Sequence, residues 1–211
     1  MRSGQRLPAL GHDRNLANKA ICAPVEIKLA VALTYRIVTN SWPVISHESI
    51  ATILAAIIIS TPFQSGEEVG WRGFALPLLA KRIGFAWASV VLGLIWACWH
   101  LPLFFLQTPG NNEYGQPFPI WALGVTGLSV AFAWLYVHTN GSLLLLMLMH
   151  SAVNNIPHFA PPPVANAANV LSFHASSTAL LTSLFLCIAA ACFLIRLRKI
   201  KFSKPAGPHL D

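Results

Sequence analysis

The sequence predicts an all-α, polytopic transmembrane helix bundle with about five spans and an extra N-terminal helix at the membrane interface. Of its 211 residues, 55% are hydrophobic and only 10% are charged, whereas soluble domains carry about 25% charged residues. From residue 83 to residue 195 the chain has no Lys or Arg, and its one acidic residue there is Glu113. A soluble protein could not cover its surface over such a stretch, because Lys, Arg, Asp and Glu normally do so.

Five apolar stretches approach the length of about 20 residues that a helix needs to cross a bilayer. They run over about 48–79, 84–106, 117–137, 142–156 and 178–195. Pro62 and the pair Gly66 and Gly70 are expected to kink the first stretch. A weaker stretch over about 27–45 contains two basic residues, and we interpret it as an interfacial helix rather than a span.

The distribution of charge predicts the organisation and orientation of the chain. Residues 1–46 form a basic segment, interpreted as interfacial or as a mis-assigned start; residues 47–196 form the helical core, and residues 197–211 a basic tail. Basic residues directly after an apolar span are typical of a cytoplasmic anchor, so we expect a multi-pass plasma-membrane protein with a cytoplasmic C-terminus. The net charge of +7 does not indicate nucleic-acid binding, because the middle of the chain cannot build a basic face.

Two adjacent carboxylates, Glu67 and Glu68, lie within the first apolar stretch. A carboxylate at bilayer depth costs about 3 kcal/mol or more unless it is paired or solvated, so such residues indicate a functional site. Arg72 follows Glu68 by four residues, in the order that favours an ion pair on a helix. We therefore expect Glu68 and Arg72 to pair as supporting residues, which leaves Glu67 without a local partner and makes it the candidate catalytic carboxylate.

Two further polar pairs interrupt the apolar stretches: Trp96 with His100, and His150 with Asn154. The members of each pair are four residues apart, so they share one helix face and can point into one cavity. Such a set permits amide hydrolysis, in which Glu67 and His100 activate water while His150 and Asn154 stabilise the oxyanion. The same atoms permit a second mechanism, in which Glu67, His100 and His150 bind Zn²⁺.

Three runs of the sequence resemble, in order, the motifs of the CPBP family. These runs are Glu-Glu-Val-Gly-Trp-Arg-Gly-Phe at 67–74, Trp-His-Leu-Pro at 99–102 and His-Ser-Ala-Val-Asn at 150–154. The family comprises the CAAX-processing and bacteriocin-processing (Abi-type) intramembrane endopeptidases, which are related to the Rce1-type prenyl proteases. The resemblance covers about residues 60–155. In the second motif the family commonly has Phe where this chain has Trp96, so an aromatic wall is retained.

The resemblance implies a role for each matched residue. The first Glu and the first His act on the water, and the His and Asn of the third motif stabilise the oxyanion. In this sequence the resemblance therefore implies that Glu67, His100, His150 and Asn154 are catalytic, with Glu68 and Arg72 as supporting residues. Family members have been described both as metalloproteases and as metal-free glutamate proteases, so both mechanisms stay open.

Two functions other than proteolysis would use the same polar cavity. A non-enzymatic bacteriocin-immunity factor or membrane scaffold would bind a partner there, and a small transporter would use Glu67 as a proton or cation relay. Transporters usually carry paired repeats, and the sequence shows none. We therefore expect an endopeptidase that cleaves hydrophobic or membrane-bound peptides, such as CAAX-like or leader peptides, within the lipid bilayer.

Overall fold

The computed structural model describes residues 14–45, 48–105, 116–156, 159, 170–171, 173 and 175–200. Within these residues the regular secondary structure is helical, and one isolated antiparallel bridge joins Ile45 to Phe159. The predicted all-α fold class is confirmed. Residues 1–13 and 201–211, which include most of the predicted basic tail, lie outside the described part.

Seven α-helices occur in the described part of the chain. They are α1 (Arg14–Thr39), α2 (Ile50–Ser60), α3 (Ser65–Glu68), α4 (Leu76–Phe105), α5 (Phe118–His138), α6 (Leu143–Asn155) and α7 (Ser177–Leu197). A 3₁₀ turn (Thr61–Gln64) connects α2 to α3, and a π-helical turn (Val69–Ala75) connects α3 to α4. From Ile50 to Phe105 the chain is therefore helical in changing forms, apart from the non-helical residue Gly84.

Among the described residues, three helical stretches are long and apolar enough to cross a membrane: Ile50–Phe105, Phe118–His138 and Ser177–Leu197. The first has 56 residues, far more than the about 20 of a single crossing. It is broken at Gly84, whose φ of 78° and ψ of 159° lie in a region essentially limited to glycine. The break coincides with the predicted boundary between the first two spans.

The remaining two helices are α1, which is not among those apolar enough to cross, and α6, which has only 13 residues. Helix α1 packs against α6 and α7, and Lys28 donates from Nζ to the carbonyl oxygen of Ile156 at 2.8 Å. Burial lowers the pKa of Lys28 to about 8, because leaving water disfavours the charged ammonium. The interfacial position of α1 stays a prediction, but its contacts attach it to the bundle.

The core lies between α4, α5 and α7. A Cβ atom at Gly93 of α4 would lie 2.8 Å from the Cα of Thr126 and 2.9 Å from the Cβ of Ser129 on α5. The hydroxyl of Ser129 also donates to the carbonyl oxygen of Ser89 at 3.0 Å. Small residues of this kind let two helices approach closely, and this approach fixes the helix that carries Trp96 and His100.

Candidate active site

The Glu pair lies where the helix changes its hydrogen-bonding pattern. Pro62 lies in the 3₁₀ turn, where its missing N–H is tolerated, and α3 has only four residues. In the π-helical turn that follows, the N–H of Leu76 bonds to the carbonyl oxygen of Trp71, five residues back. Single π-helical turns are frequent at functional sites. The kink predicted from Pro62, Gly66 and Gly70 stays a prediction, and the structure shows a change of helix type at these residues.

Glu68 is the fully buried centre of a triad of ionisable groups. Its Oε1 accepts a hydrogen bond from Nη1 of Arg72 at 2.9 Å and another from Nδ1 of His150 at 2.8 Å. The exposed fractions are 0% for Glu68, 1% for Arg72 and 4% for His150. The predicted ion pair with Arg72 is present. The bond to His150 joins residues 82 positions apart, and no local sequence pattern could have indicated it.

Aromatic rings surround the buried guanidinium of Arg72. Its Cζ lies 4.4 Å from the ring centroids of both Trp96 and Phe132, within the range of a cation–π interaction. Oε2 of Glu68 and Nε and Nη2 of Arg72 are buried without a hydrogen-bond partner among the described residues. The ring faces therefore stabilise a cation whose hydrogen bonds are incomplete.

Glu67 has a different environment from its neighbour. It is half-buried, and its Oε2 accepts a hydrogen bond from Nε1 of Trp96 at 2.7 Å. Trp96 lies on α4, 29 residues further along the chain, and is 3% exposed. Of the two carboxylates, Glu67 is thus the one that water or a substrate can reach. Its partner is non-local, as the sequence argument requires.

The neighbours of His100 determine which ring nitrogen is protonated. Nδ1 lies 2.9 Å from the carbonyl oxygen of Trp96, which can only accept, so Nδ1 carries the hydrogen. In the neutral tautomer the lone pair is then on Nε2. The His100 ring centroid lies 4.7 Å from that of Trp99 and 5.0 Å from that of Trp121, so aromatic rings flank the imidazole.

The ring of His150 is fixed by its bond to Glu68 and by aromatic contacts. Its centroid lies 5.4 Å from Trp96, edge to face, and 5.7 Å from Phe132. Because Nδ1 donates to a carboxylate, Nε2 is the ring nitrogen that can contact a substrate. Other histidines that a carboxylate orients use Nε2 in this way. Asn154, which we predict to stabilise the oxyanion together with His150, also lies on α6 and is exposed.

Asn155 has a packing role. Its Nδ2 donates to Oγ of Ser60 and to the carbonyl oxygen of Ser151, both at 2.8 Å. The hydroxyl of Ser151 donates in turn to the carbonyl oxygen of Ile57 at 2.7 Å. These bonds attach α6 to α2, which is consistent with leaving Asn155 out of the predicted site.

Trp96 is the residue around which the predicted site residues meet. Its indole N–H contacts Glu67, its ring face contacts Arg72, and its centroid lies 5.8 Å from that of His100 and 5.4 Å from that of His150. Four sequence-predicted residues from four separate helical segments thus surround one side chain. Their catalytic roles stay predictions. The sequence analysis placed Trp96 on one helix face with His100 and as an aromatic wall, but it assigned no role to the indole N–H.

The described side chains do not fit a zinc centre. Within the part of the chain that the structure describes, no three His, Cys, Asp or Glu side chains come together closely enough to hold a metal ion. The set of Glu67, His100 and His150 as zinc ligands stays a prediction.

Comparison with known proteins places these motifs in a family. Residues 29–156 match the family described as type II CAAX prenyl endopeptidase Rce1-like, and this region contains all the site residues above. The chain is also 28% identical over 110 residues to CAAX prenyl protease 2 of Methanococcus maripaludis. That match covers 48% of this chain and 38% of the relative, so the chain spans well under half of the relative's length.

Proposed function

Since the chain belongs to the Rce1-like family of type II CAAX prenyl endopeptidases, we propose that it is an intramembrane endopeptidase that cleaves hydrophobic or membrane-bound peptides. One observation carries the proposal: Glu67, His100 and His150 all contact Trp96 at one site inside the bundle. A carboxylate and two imidazoles at one site are the groups that peptide hydrolysis needs for proton transfer and for charge stabilisation.

Activation of water is assigned to Glu67 and His100. Glu67 is the half-buried carboxylate, and His100, whose Nδ1 bonds to the carbonyl oxygen of Trp96, is the imidazole that assists it. Water between these groups loses a proton to Glu67 as its oxygen attacks the scissile carbonyl carbon. The carboxyl group then returns that proton to the leaving amine, which completes one turnover without net proton transfer.

Stabilisation of the oxyanion is assigned to His150 with Asn154. To donate from Nε2 while Nδ1 donates to Glu68, the His150 ring must hold a proton on both nitrogens. Glu68 then supplies the opposite charge at 2.8 Å, and Arg72 fixes Glu68 from the other side. A positioned donor of this kind typically contributes a factor of about 10² to 10³ in kcat.

The surroundings of His100 favour an apolar substrate. Trp99, which contacts the His100 ring, is 55% exposed, and Phe105, the last residue of α4, is 63% exposed. Exposed aromatic surface beside a polar site suits a substrate with an apolar segment. CAAX-like or leader peptides at the plasma membrane fit this description, with the C-terminal tail on the cytoplasmic side.

The test is cleavage of a hydrophobic reporter peptide by the purified full chain in detergent. We compare wild type with Glu67→Gln, and use Glu48→Gln, an exposed glutamate before α2, as the matched control. We expect cleavage by wild type and by the control, and a loss of at least about 10²-fold in Glu67→Gln.

Each reaction is repeated with a strong chelator. Cleavage that disappears and returns with zinc would indicate the metal-dependent mechanism, whereas unchanged cleavage would indicate the metal-free one. If Glu67→Gln cleaves as well as wild type, the proposed mechanism is wrong. If wild type cleaves no hydrophobic peptide, the non-enzymatic immunity or scaffold function becomes the better explanation.

A further inference from the structure

We infer that Trp96 is a positioning residue, whose indole N–H holds the Glu67 carboxylate in place for the proposed reaction. The inference rests on the proposed function and adds to it a residue to which the motif comparison gave only an aromatic surface. Its basis is the bond from Nε1 of Trp96 to Oε2 of Glu67, at 2.7 Å. That distance is at the short end for an N–H···O bond and is typical of a donor to a charged carboxylate.

The backbone near Glu67 offers its side chain little packing. A Cβ atom added at Gly66 or at Gly70 would meet no atom within 4 Å, so these two neighbouring positions supply no side chain and no packed surface against Glu67. A glutamate side chain has several rotatable bonds and loses considerable freedom when it is ordered. The bond from Trp96 therefore supplies a restraint that the surrounding helix does not.

Trp96 itself is held firmly enough to provide that restraint. It is 3% exposed. Cζ of Arg72 lies 4.4 Å from its ring centroid, and the ring centroid of Phe132 lies 6.0 Å away. Its own backbone carbonyl accepts the bond from Nδ1 of His100. One residue thus fixes the carboxylate through its side chain and the tautomer of His100 through its main chain.

The indole N–H can be removed while the ring is kept. Trp96→Phe retains an aromatic face toward Arg72 and an edge toward the histidines, but it has no donor for Glu67. Trp134→Phe is the matched control: Trp134 is 7% exposed on α5, and its Nε1 is buried without a hydrogen-bond partner among the described residues. The two substitutions delete the same atoms, but only one of them deletes a hydrogen bond.

The kinetic test compares kcat and KM for cleavage of the reporter peptide. A hydrogen bond to a charged group corresponds to a change of about tenfold to a hundredfold in a rate or equilibrium constant. We expect Trp96→Phe to lower kcat by about that factor with KM nearly unchanged, and Trp134→Phe to leave both unchanged. Wild-type kcat in Trp96→Phe would overturn the inference.

A spectroscopic test does not depend on cleavage. The indole ¹⁵N–¹H resonance of Trp96 is identified by its loss in Trp96→Phe, using the full chain in detergent micelles. We expect Glu67→Ala to shift this resonance upfield, because the charge-assisted bond is lost, and Glu48→Ala to leave it in place. An unshifted resonance in Glu67→Ala would overturn the inference at any level of activity. If wild type cleaves nothing, the proposed function fails, and the resonance alone decides whether Trp96 holds Glu67.

Discussion

His150 donates from Nδ1 to Oε1 of Glu68 at 2.8 Å, and this bond gives the two adjacent glutamates different partners. Glu68 is fully buried and has its Oε1 shared between Arg72 and His150. Glu67 is half-buried and contacts Trp96 instead. Two neighbouring carboxylates with such different surroundings are expected to have different functions. We expect Glu68 to orient a histidine and Glu67 to take part in the reaction.

The first prediction separates the proposed role of His100 from its helix contact. His100→Ala should lower kcat by about 10² to 10⁴-fold, the usual contribution of a positioned acid or base, while the protein still inserts and folds. His138→Ala is the control, because Nδ1 of His138 lies 2.8 Å from the carbonyl oxygen of Trp134, the same i−4 contact that His100 makes. If kcat falls equally in both variants, loss of the i−4 contact, rather than loss of an acid or base at His100, would explain the result.

The second prediction concerns the buried triad. Glu68→Ala should lower the free energy of unfolding by about 3–5 kcal/mol, because it leaves the Arg72 cation buried without its carboxylate. Arg72→Lys should also destabilise, because an ammonium does not reproduce the planar guanidinium between the rings of Trp96 and Phe132. Thermal unfolding in detergent measures both effects, with Arg82→Lys, an exposed arginine, as the control. A stable Glu68→Ala variant would mean that Arg72 finds another partner.

The sequence predicted the parts of this structure that depend on composition and short spacing. The apolar stretches correspond to helices because their length and hydrophobicity suit a bilayer, and the boundary near residue 84 follows from a glycine with positive φ. The ion pair between Glu68 and Arg72 was predictable because i,i+4 neighbours share a helix face.

The contacts between distant residues were not predictable. The bonds from His150 to Glu68 and from Trp96 to Glu67 depend on how α3, α4 and α6 pack, and one sequence without related sequences does not specify that packing. From their residue types alone, Glu67, His100 and His150 could equally well bind zinc or activate water without a metal. The change from an α-helix to a π-helical turn at Val69 also has no signal beyond the nearby glycines.

The third prediction tests the contact that fixes α4 against α5. Gly93→Ala should lower the free energy of unfolding by about 1–3 kcal/mol, because its Cβ would lie 2.8 Å from the Cα of Thr126 and a backbone atom cannot move aside easily. Trp96 and His100 follow on the same helix, so cleavage should fall as well. Gly66→Ala is the control for unfolding, since its Cβ meets nothing within 4 Å. Equal stability of the two variants would contradict close packing at Gly93.

The fourth prediction is a pH dependence at Lys28, which donates to the carbonyl oxygen of Ile156 at the end of α6. Burial lowers the pKa of Lys28 from 10.5 to about 8. Between these values the unfolded chain binds more protons than the folded one, so stability rises with pH from about 8 to about 10.5. Below pH 8 Lys28 is charged in both the folded and the unfolded protein. The folded protein then bears the full cost of burying the ammonium, about 3 kcal/mol for a pKa shift of this size.

The measurement compares thermal unfolding of wild type, Lys28→Met and Lys81→Met at pH 7.5 and pH 10. Other groups titrate over the same range, so the informative quantity is the difference between each variant and wild type. Relative to wild type, Lys28→Met should be more stable at pH 7.5 than at pH 10, because only wild type is relieved of a buried charge as the pH rises. Lys81 is exposed, so its variant should follow wild type at both values. If Lys28→Met also follows wild type, the Lys28 ammonium is solvated in the folded protein, and its bond to Ile156 does not remove it from water.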